Sequence, residues 1–162
     1  MDLSNLVFRE KVKTEDIEHV REIVISTGFF YDFEVPVAVE LLEAALEEGE
    51  ESGYHFIFAE LDGRVISYSC YGHIAGTDAG YDLYWIVTRN EFRGSGIGRM
   101  VLEETHKSVK ASGGRYIVAE TSSLDKYAPT RAFYLKNGYS EDGRIADYYM
   151  PGDAKVIYVK RL

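Results

Sequence analysis

The apolar residues of this chain follow two different spacings along its length. Spacings of three or four residues, typical of one helix face, occur in four segments, whereas alternation or a short apolar run, both typical of strands, occurs in seven. The predicted helices lie between Thr14, the expected N-cap, and Gly28, between Pro36 and Gly49, from Ile97 to the Gly113–Gly114 break, and from Pro129 to Asn137. The predicted strands cover residues 6–12, 54–58, 65–74, 81–88, 116–121, 143–149 and 155–160.

The order of these elements, β-α-α-β-β-β-α-β-α-β-β, predicts the fold class. It suits an α/β protein of the mixed α+β kind, with a mostly antiparallel sheet of six to seven strands and helices on both faces. Residues 81–88 are nearly all apolar, which predicts a central strand buried on both faces. A length of 162 residues suits one domain covering residues 1–162.

A glycine-rich turn connects the apolar run at 84–87 to the third predicted helix. Its residues are Arg93, Gly94, Ser95, Gly96, Ile97, Gly98 and Arg99. Such a turn presents unpaired backbone N–H groups at the positive end of a helix dipole, and its glycines let the main chain come close to a ligand. Arg89, Arg93 and Arg99 add positive charge, so the segment is typical of a phosphate site.

Two common phosphate loops do not fit this turn. The loop of NTPases ends in Gly-Lys-Ser/Thr, which is absent, and the dinucleotide fingerprint requires glycine where Arg99 stands. The remaining pattern, Arg93-x-x-Gly96-x-Gly98, resembles the acetyl-CoA diphosphate loop of the GCN5-related N-acetyltransferases (GNAT superfamily). Residues 132–139, AFYLKNGY, are similar to the fourth-helix signature of the same family. The resemblance covers nearly the whole chain, from Leu6 to Leu162.

The resemblance implies a reaction and a set of cofactor-binding residues. An enzyme of this family transfers an acetyl group from acetyl-CoA, its co-substrate, to a primary amine, and 1–162 would be a single N-acetyltransferase domain. The diphosphate would bind the backbone N–H groups of Ser95, Gly96, Ile97, Gly98 and Arg99, next to Gly94, with Arg93 as the first cationic contact. The main chain of Ile86, Val87 and Thr88 would pair with the pantetheine amides, as an added strand pairs with a sheet edge.

Catalytic residues follow from the same resemblance. In the family, the residue that matches Tyr134 often points its hydroxyl at the CoA sulfur and is proposed to protonate the leaving thiolate, which suits a phenol that is protonated at neutral pH. The amine must lose a proton before it attacks. Asp82, Tyr84, Glu120 and a water relay remain open as the base, with Glu120 ranked first. We expect Glu120 either as a buried carboxylate with a raised pKa or as an ordinary hydrogen-bonded edge residue.

Composition restricts the partners of the chain. A net charge of −9 argues against nucleic acid and is compatible with a cationic amine. Apolar runs are too short for a membrane helix, and Met1–Asn5 lacks the order of a signal peptide. Cys70, the single cysteine, is expected to be a buried inert thiol in a cytoplasmic protein. The sequence has no His-x-x-x-His or Cys-x-x-Cys spacing, so no metal is expected.

The acceptor amine is the least determined part of the prediction. Members of the family acetylate small molecules as well as the amines of peptides and proteins, and dimers are common among them, so a homodimer is compatible with the resemblance. Residues 29–33 and 148–150 are candidates for lining the acceptor pocket, because segments at these places often do so in the family. The alternative function is a non-catalytic acyl-CoA-binding sensor or interaction module with the same fold.

Overall fold

Seven strands form one sheet, in the order β1-β2-β3-β4-β5-β7-β6, in the computed structural model, which describes residues 3–162. The strands are β1 (Leu6–Arg9), β2 (His55–Leu61), β3 (Arg64–His73), β4 (Gly80–Thr88), β5 (Tyr116–Ser122), β6 (Ser140–Met150) and β7 (Asp153–Arg161). The helices are α1 (Asp16–Ser26), α2 (Glu34–Glu48), α3 (Ile97–Ala111) and α4 (Ala128–Lys136). The predicted element order and the mixed, mostly antiparallel sheet are confirmed, with seven strands.

The chain divides into two compact units. Unit 1 consists of the chain up to Gly72 together with Trp85–Ser108, and unit 2 consists of His73–Tyr84 and Val109–Leu162. The prediction of one N-acetyltransferase domain over 1–162 stays a prediction.

Unit 1 carries helices on both faces of its strands. Phe56 of β2 lies opposite Cys70 of β3, and both belong to a buried apolar cluster with residues of α1 and α2. Ser69 points to the other face because side chains alternate along a strand, and its hydroxyl lies 2.7 Å from that of Thr105 on α3. The placement of helices on both faces is therefore confirmed in this unit. Cys70 is a free buried cysteine, and burial raises the pKa of its thiol, as expected for an inert residue.

Unit 2 buries one face of its strands under α4. Ala119 of β5 lies opposite Tyr158 of β7, and both are buried. The ring of Tyr134, on α4, packs 5.6 Å from the ring of Tyr158. Residues of β5 that point the other way, such as Val118 and Glu120, are half-buried or exposed. This second face carries the polar side chains of the candidate site.

Three local predictions are wrong. The first strand ends at Arg9 rather than at residue 12. The guanidinium of Arg9 binds the carboxylate of Asp16 at 2.7 Å. Thr14 does not cap α1, which has no side-chain cap; the N–H of Lys13 instead donates to Asp16 at 2.7 Å. Strand β4 is not buried on both faces, since the side chain of Tyr84 is 42% exposed.

Candidate functional site

The glycine turn in unit 1 adopts a backbone shape that glycine accepts easily. Gly94 and Gly96 have φ angles of +76° and +87°, a region that strains residues with a Cβ. The peptide N–H of Phe92 bonds to the carbonyl of Arg89 at 2.9 Å, so a short helical turn precedes the glycines. A Cβ built on Gly96 would have no atom within 4 Å. The space in front of this turn is therefore open.

The turn leaves backbone N–H groups without partners at the start of α3. The first bond of the helix runs from the N–H of Met100 to the carbonyl of Gly96, at 3.1 Å. The N–H groups of Gly96, Ile97, Gly98 and Arg99 have no acceptor within residues 3–162. Ser95 differs from the prediction, because its N–H is directed at the carbonyl of Phe92, at 3.4 Å. The 15-residue helix adds the positive end of its dipole to these free donors.

The three arginines around the turn have different roles. Arg89 is buried and its guanidinium binds Glu22 at 2.6 Å, and this hydrogen bond holds the pKa of Glu22 below its ordinary value. Arg99 is exposed and pairs with Glu103 at 2.8 Å. Arg93 is exposed and has no carboxylate partner in the described part of the chain. The expectation that all three supply free positive charge is thus wrong for Arg89, because its charge is paired with that of Glu22.

The predicted pantetheine strand lies in the second half of β4. The parallel pairing of β4 with β5 covers Gly80 to Leu83, and Ile86, Val87 and Thr88 lie beyond it. On the β3 side, the hydroxyl of Ser67 donates to the carbonyl of Val87 at 3.0 Å and lies 2.8 Å from the hydroxyl of Thr88. One lone pair of the Val87 carbonyl is therefore already in use.

Tyr134, in unit 2, sits among aromatic rings. Its side chain is only 6% exposed, with the rings of Phe133, Tyr139 and Tyr158 between 5.3 and 5.7 Å away. Burial raises the pKa of the phenol. Within residues 3–162 the hydroxyl makes no hydrogen bond. Tyr134 is thus a neutral phenol over the whole working pH range, with its proton available for donation.

Glu120 and Asp82 differ in environment, although both lie on the second face of unit 2. Glu120 is 43% exposed and bonds to the ammonium of Lys155 at 2.6 Å. Of the two expectations for Glu120, the hydrogen-bonded edge residue is the one observed. Asp82 is half-buried and has no ion pair or hydrogen bond within the described chain. Burial and the charge of Glu120 raise the pKa of Asp82, while the charge of Lys155 lowers it.

Comparisons with known proteins identify the family of this chain. The profile of the acetyltransferase (GNAT) domain family matches residues 52–141. A crystal structure of a proposed acetyltransferase of the GNAT family from Desulfovibrio desulfuricans is 43% identical, with 96% of this chain and 98% of that chain covered and a TM-score of 0.95. The chain belongs to the GNAT acetyltransferase family. This is a family of acetyl-CoA-dependent acyltransferases.

More distant structures share the GNAT fold. An aminoglycoside 6'-N-acetyltransferase complexed with coenzyme A is 16% identical, with 96% of both chains covered and a TM-score of 0.75. A ribosomal-protein-alanine N-acetyltransferase from Brucella melitensis is 20% identical, with 96% of this chain and 99% of that chain covered and a TM-score of 0.77. A comparison with curated proteins found no match.

The two segments predicted to line the acceptor pocket of this GNAT chain are only partly exposed. In residues 29–33, Phe30 packs on Trp85 at 5.0 Å, whereas Tyr31 and Phe33 stack on each other at 5.5 Å and are exposed. Tyr148 and Tyr149 of β6 are exposed as well. The exposed aromatic rings stay candidates for substrate contact, whereas Phe30 is partly buried and packs against the core of unit 1.

Sequence reasoning missed Lys155. This residue lies opposite Ser122 in the β5–β7 register, two positions from the pair formed by Glu120 and Ile157. The register brings Lys155 to Glu120, which is 35 positions earlier in the chain. The available signal was a lysine one position away from the apolar residues 156–159, but nothing local indicates its partner.

Arg93→Ala should weaken the binding of CoA about tenfold, because one charge-assisted contact with the diphosphate is lost. Titration calorimetry with CoA measures this change. Arg21→Ala is the matched control, since Arg21 is an exposed arginine of α1 that pairs with Glu18. An equal loss of affinity in both variants would show that net charge, rather than a contact by Arg93, is responsible.

None of the helices described between residues 3 and 162 is long and apolar enough to cross a membrane. Within the same residues, no three His, Cys, Asp or Glu side chains are grouped so that they could hold a metal ion.

Proposed function

We propose that this GNAT acetyltransferase transfers the acetyl group of acetyl-CoA to a primary amine of a small molecule or a peptide. The observation that supports this most is the row of unpartnered N–H groups from Gly96 to Arg99, which follows the positive-φ glycines and stands beside an unpaired Arg93. Donors of this kind at a helix start bind phosphate groups. The proposal places the diphosphate of CoA there and the pantetheine arm along Ile86 to Thr88.

The protonation states of unit 2 fit the two proton transfers that the reaction needs. An amine with a pKa near 10 is mostly an ammonium at neutral pH, so a base has to accept its proton before the nitrogen attacks the thioester. We assign this role to Glu120 first, and to Asp82 as its close alternative. The thiolate that leaves then needs a proton, which the neutral phenol of Tyr134 donates. No metal takes part in this scheme.

The acceptor is proposed from charge and from the relatives. A chain with a net charge of −9 attracts cationic amines. One structural relative is described as acting on aminoglycosides and another on the alanine of a ribosomal protein. Both classes of amine should therefore be included among the first acceptors that are tested. The buried thiol of Cys70 fits a reducing compartment, and we propose a cytoplasmic enzyme.

Thiol release from acetyl-CoA should rise above the amine-free background with at least one member of a panel of aminoglycosides, polyamines, amino acids and peptides with a free N-terminal amine. Mass spectrometry of the product then identifies the acetylated nitrogen. Calorimetry with CoA is run in parallel. Binding of CoA without turnover of any amine would favour the non-catalytic acyl-CoA-binding module, and an absence of CoA binding would contradict the cofactor site itself.

A further inference from the structure

Lys155 lies among the polar side chains on the second face of unit 2. Asp82 pairs with Val118 in the β4–β5 register, and Glu120 follows Val118 two residues later, so both carboxylates lie on one face. Lys155 reaches the same face from β7. We refer to Asp82, Glu120, Tyr148 and Lys155 as the Lys155 cluster.

The ammonium of Lys155 is held from two sides. It lies 2.6 Å from a carboxylate oxygen of Glu120 and 3.8 Å from the centre of the Tyr148 ring. The side chain of Lys155 is only 12% exposed, so solvent screens these contacts less than it would on an open surface. Burial opposes the charge of Lys155, but its bonds to Glu120 and Tyr148 outweigh burial and raise the pKa of the ammonium. Lys155 is therefore a fixed cation at neutral pH.

We propose that Lys155 is a positioning residue: its ammonium, bonded to Glu120 at 2.6 Å, offsets negative charge on the face that carries Asp82 and Glu120, so that the pair can take a proton from the acceptor amine. This inference rests on the proposed function, in which an ammonium N–H bond breaks and its proton passes to the pair and then to water. Without Lys155, the half-buried carboxylate of Asp82 would meet the repelling charge of Glu120 with no attracting cation beside it, and would retain a proton to a higher pH.

The other ionisable groups on these strands do not replace Lys155. They are Tyr84 on β4, Tyr116 on β5, Tyr149 on β6, and Asp153 and Arg161 on β7. Burial raises the pKa of Tyr149, so this phenol carries no charge that could replace the ammonium. Asp153 accepts hydrogen bonds from the hydroxyl of Ser122 and the N–H of Ser123. Arg161 lies against the ring of Tyr116, at 5.3 Å, at the other end of β5.

The test is a pH titration of the carboxyl carbons by NMR in the ¹³C-labelled protein, which requires no acceptor. In Lys155→Met, the titration midpoint of Asp82 should rise by about one pH unit, because an attracting cation is lost. In Glu120→Gln, the midpoint of Asp82 should fall, because a repelling anion is lost. Lys155→Arg should restore the wild-type midpoint. Asp82→Asn identifies the signal, and Lys155→Gln replaces the methionine variant if that variant does not fold.

Lys107→Met is the matched control. It removes the same charge from an ion pair of the same length, Lys107–Glu104 at 2.6 Å on α3 of unit 1, and should leave the Asp82 midpoint unchanged. An unmoved midpoint in Lys155→Met, or an equal shift in Lys107→Met, would overturn the inference.

In the pH profile of kcat/KM, the fall in rate on the acidic side should move to higher pH in Lys155→Met, together with the titration midpoint of Asp82. A purely structural role of Lys155 would lower the rate and leave the position of this acidic limb unchanged. A lower rate with an unmoved limb therefore also overturns the inference. The thiol-release panel judges the proposed function separately. Wild-type protein that releases no thiol with any amine, while the NMR midpoints shift as stated, would count against the acetyltransferase scheme and support the electrostatic role of Lys155.

Discussion

Gly96→Val should weaken CoA binding about a hundredfold, the equivalent of losing two charge-assisted hydrogen bonds. The open space in front of Gly96 contains no protein atom, so a side chain there would occupy the volume proposed for the diphosphate. The φ angle of +87° adds about 1–2 kcal/mol of backbone strain, which the turn can relieve only by moving its N–H groups. Titration calorimetry with CoA measures the loss.

A substitution at a second glycine is the control that distinguishes a blocked binding site from backbone strain alone. Gly63, in the turn between β2 and β3 of the same unit, has a φ of +80° and equally open surroundings. Gly63→Val should therefore show a similar loss of stability, measured by thermal unfolding, and unchanged affinity for CoA. If Gly96→Val bound CoA with wild-type affinity, the assignment of the diphosphate to this turn would be wrong.

Tyr134→Phe should lower kcat about a hundredfold while the affinity for CoA stays close to wild type, because a general acid acts in the transition state and contributes little to cofactor binding. Burial raises the pKa of Tyr134, so the phenol is neutral at every pH at which the protein is studied. The rate should consequently fall by the same factor across the pH profile, with both limbs in their original positions. Steady-state kinetics from pH 5 to 10 provide the measurement.

Tyr139→Phe is the control for the loss of a buried hydroxyl. Its ring lies 5.3 Å from that of Tyr134 in the same aromatic cluster. This variant should retain most of the wild-type kcat. A full rate in Tyr134→Phe at all pH values would exclude Tyr134 from the reaction, and equal losses in both variants would indicate damage to the cluster.

Local physics explains why much of the molecule could be predicted from its residues. Helical and strand spacings reflect the periods of the two backbones, which do not depend on the rest of the fold. The glycines at 94 and 96 indicated a turn before a helix, and the structure has a turn there, with positive φ at both glycines, at the start of α3. The element order and the family resemblance were therefore available before the structure.

Whether a charged group of the candidate site is paired depended mostly on residues far away in the sequence. The sequence does not distinguish Arg89, Arg93 and Arg99 from one another. In the structure, Arg89 pairs with Glu22 of α1, and Arg99 pairs with Glu103 on the next turn of α3. Of the three, Arg93 alone has no carboxylate partner within residues 3–162. Glu120 was an even choice between buried and edge positions until the register of β5 and β7 placed Lys155 beside it.

The chain's periodicity was sufficient for the order of the elements, and two short motifs, Arg93–Arg99 and residues 132–139, were sufficient for the family resemblance, because each depends on neighbours within a few residues. The tertiary structure was needed for the free Arg93, the half-buried Asp82 and the ammonium between Glu120 and Tyr148. Charge and burial at those positions depend on residues that are tens of positions apart along the chain, and only the packed strands and helices bring such residues within interaction distance.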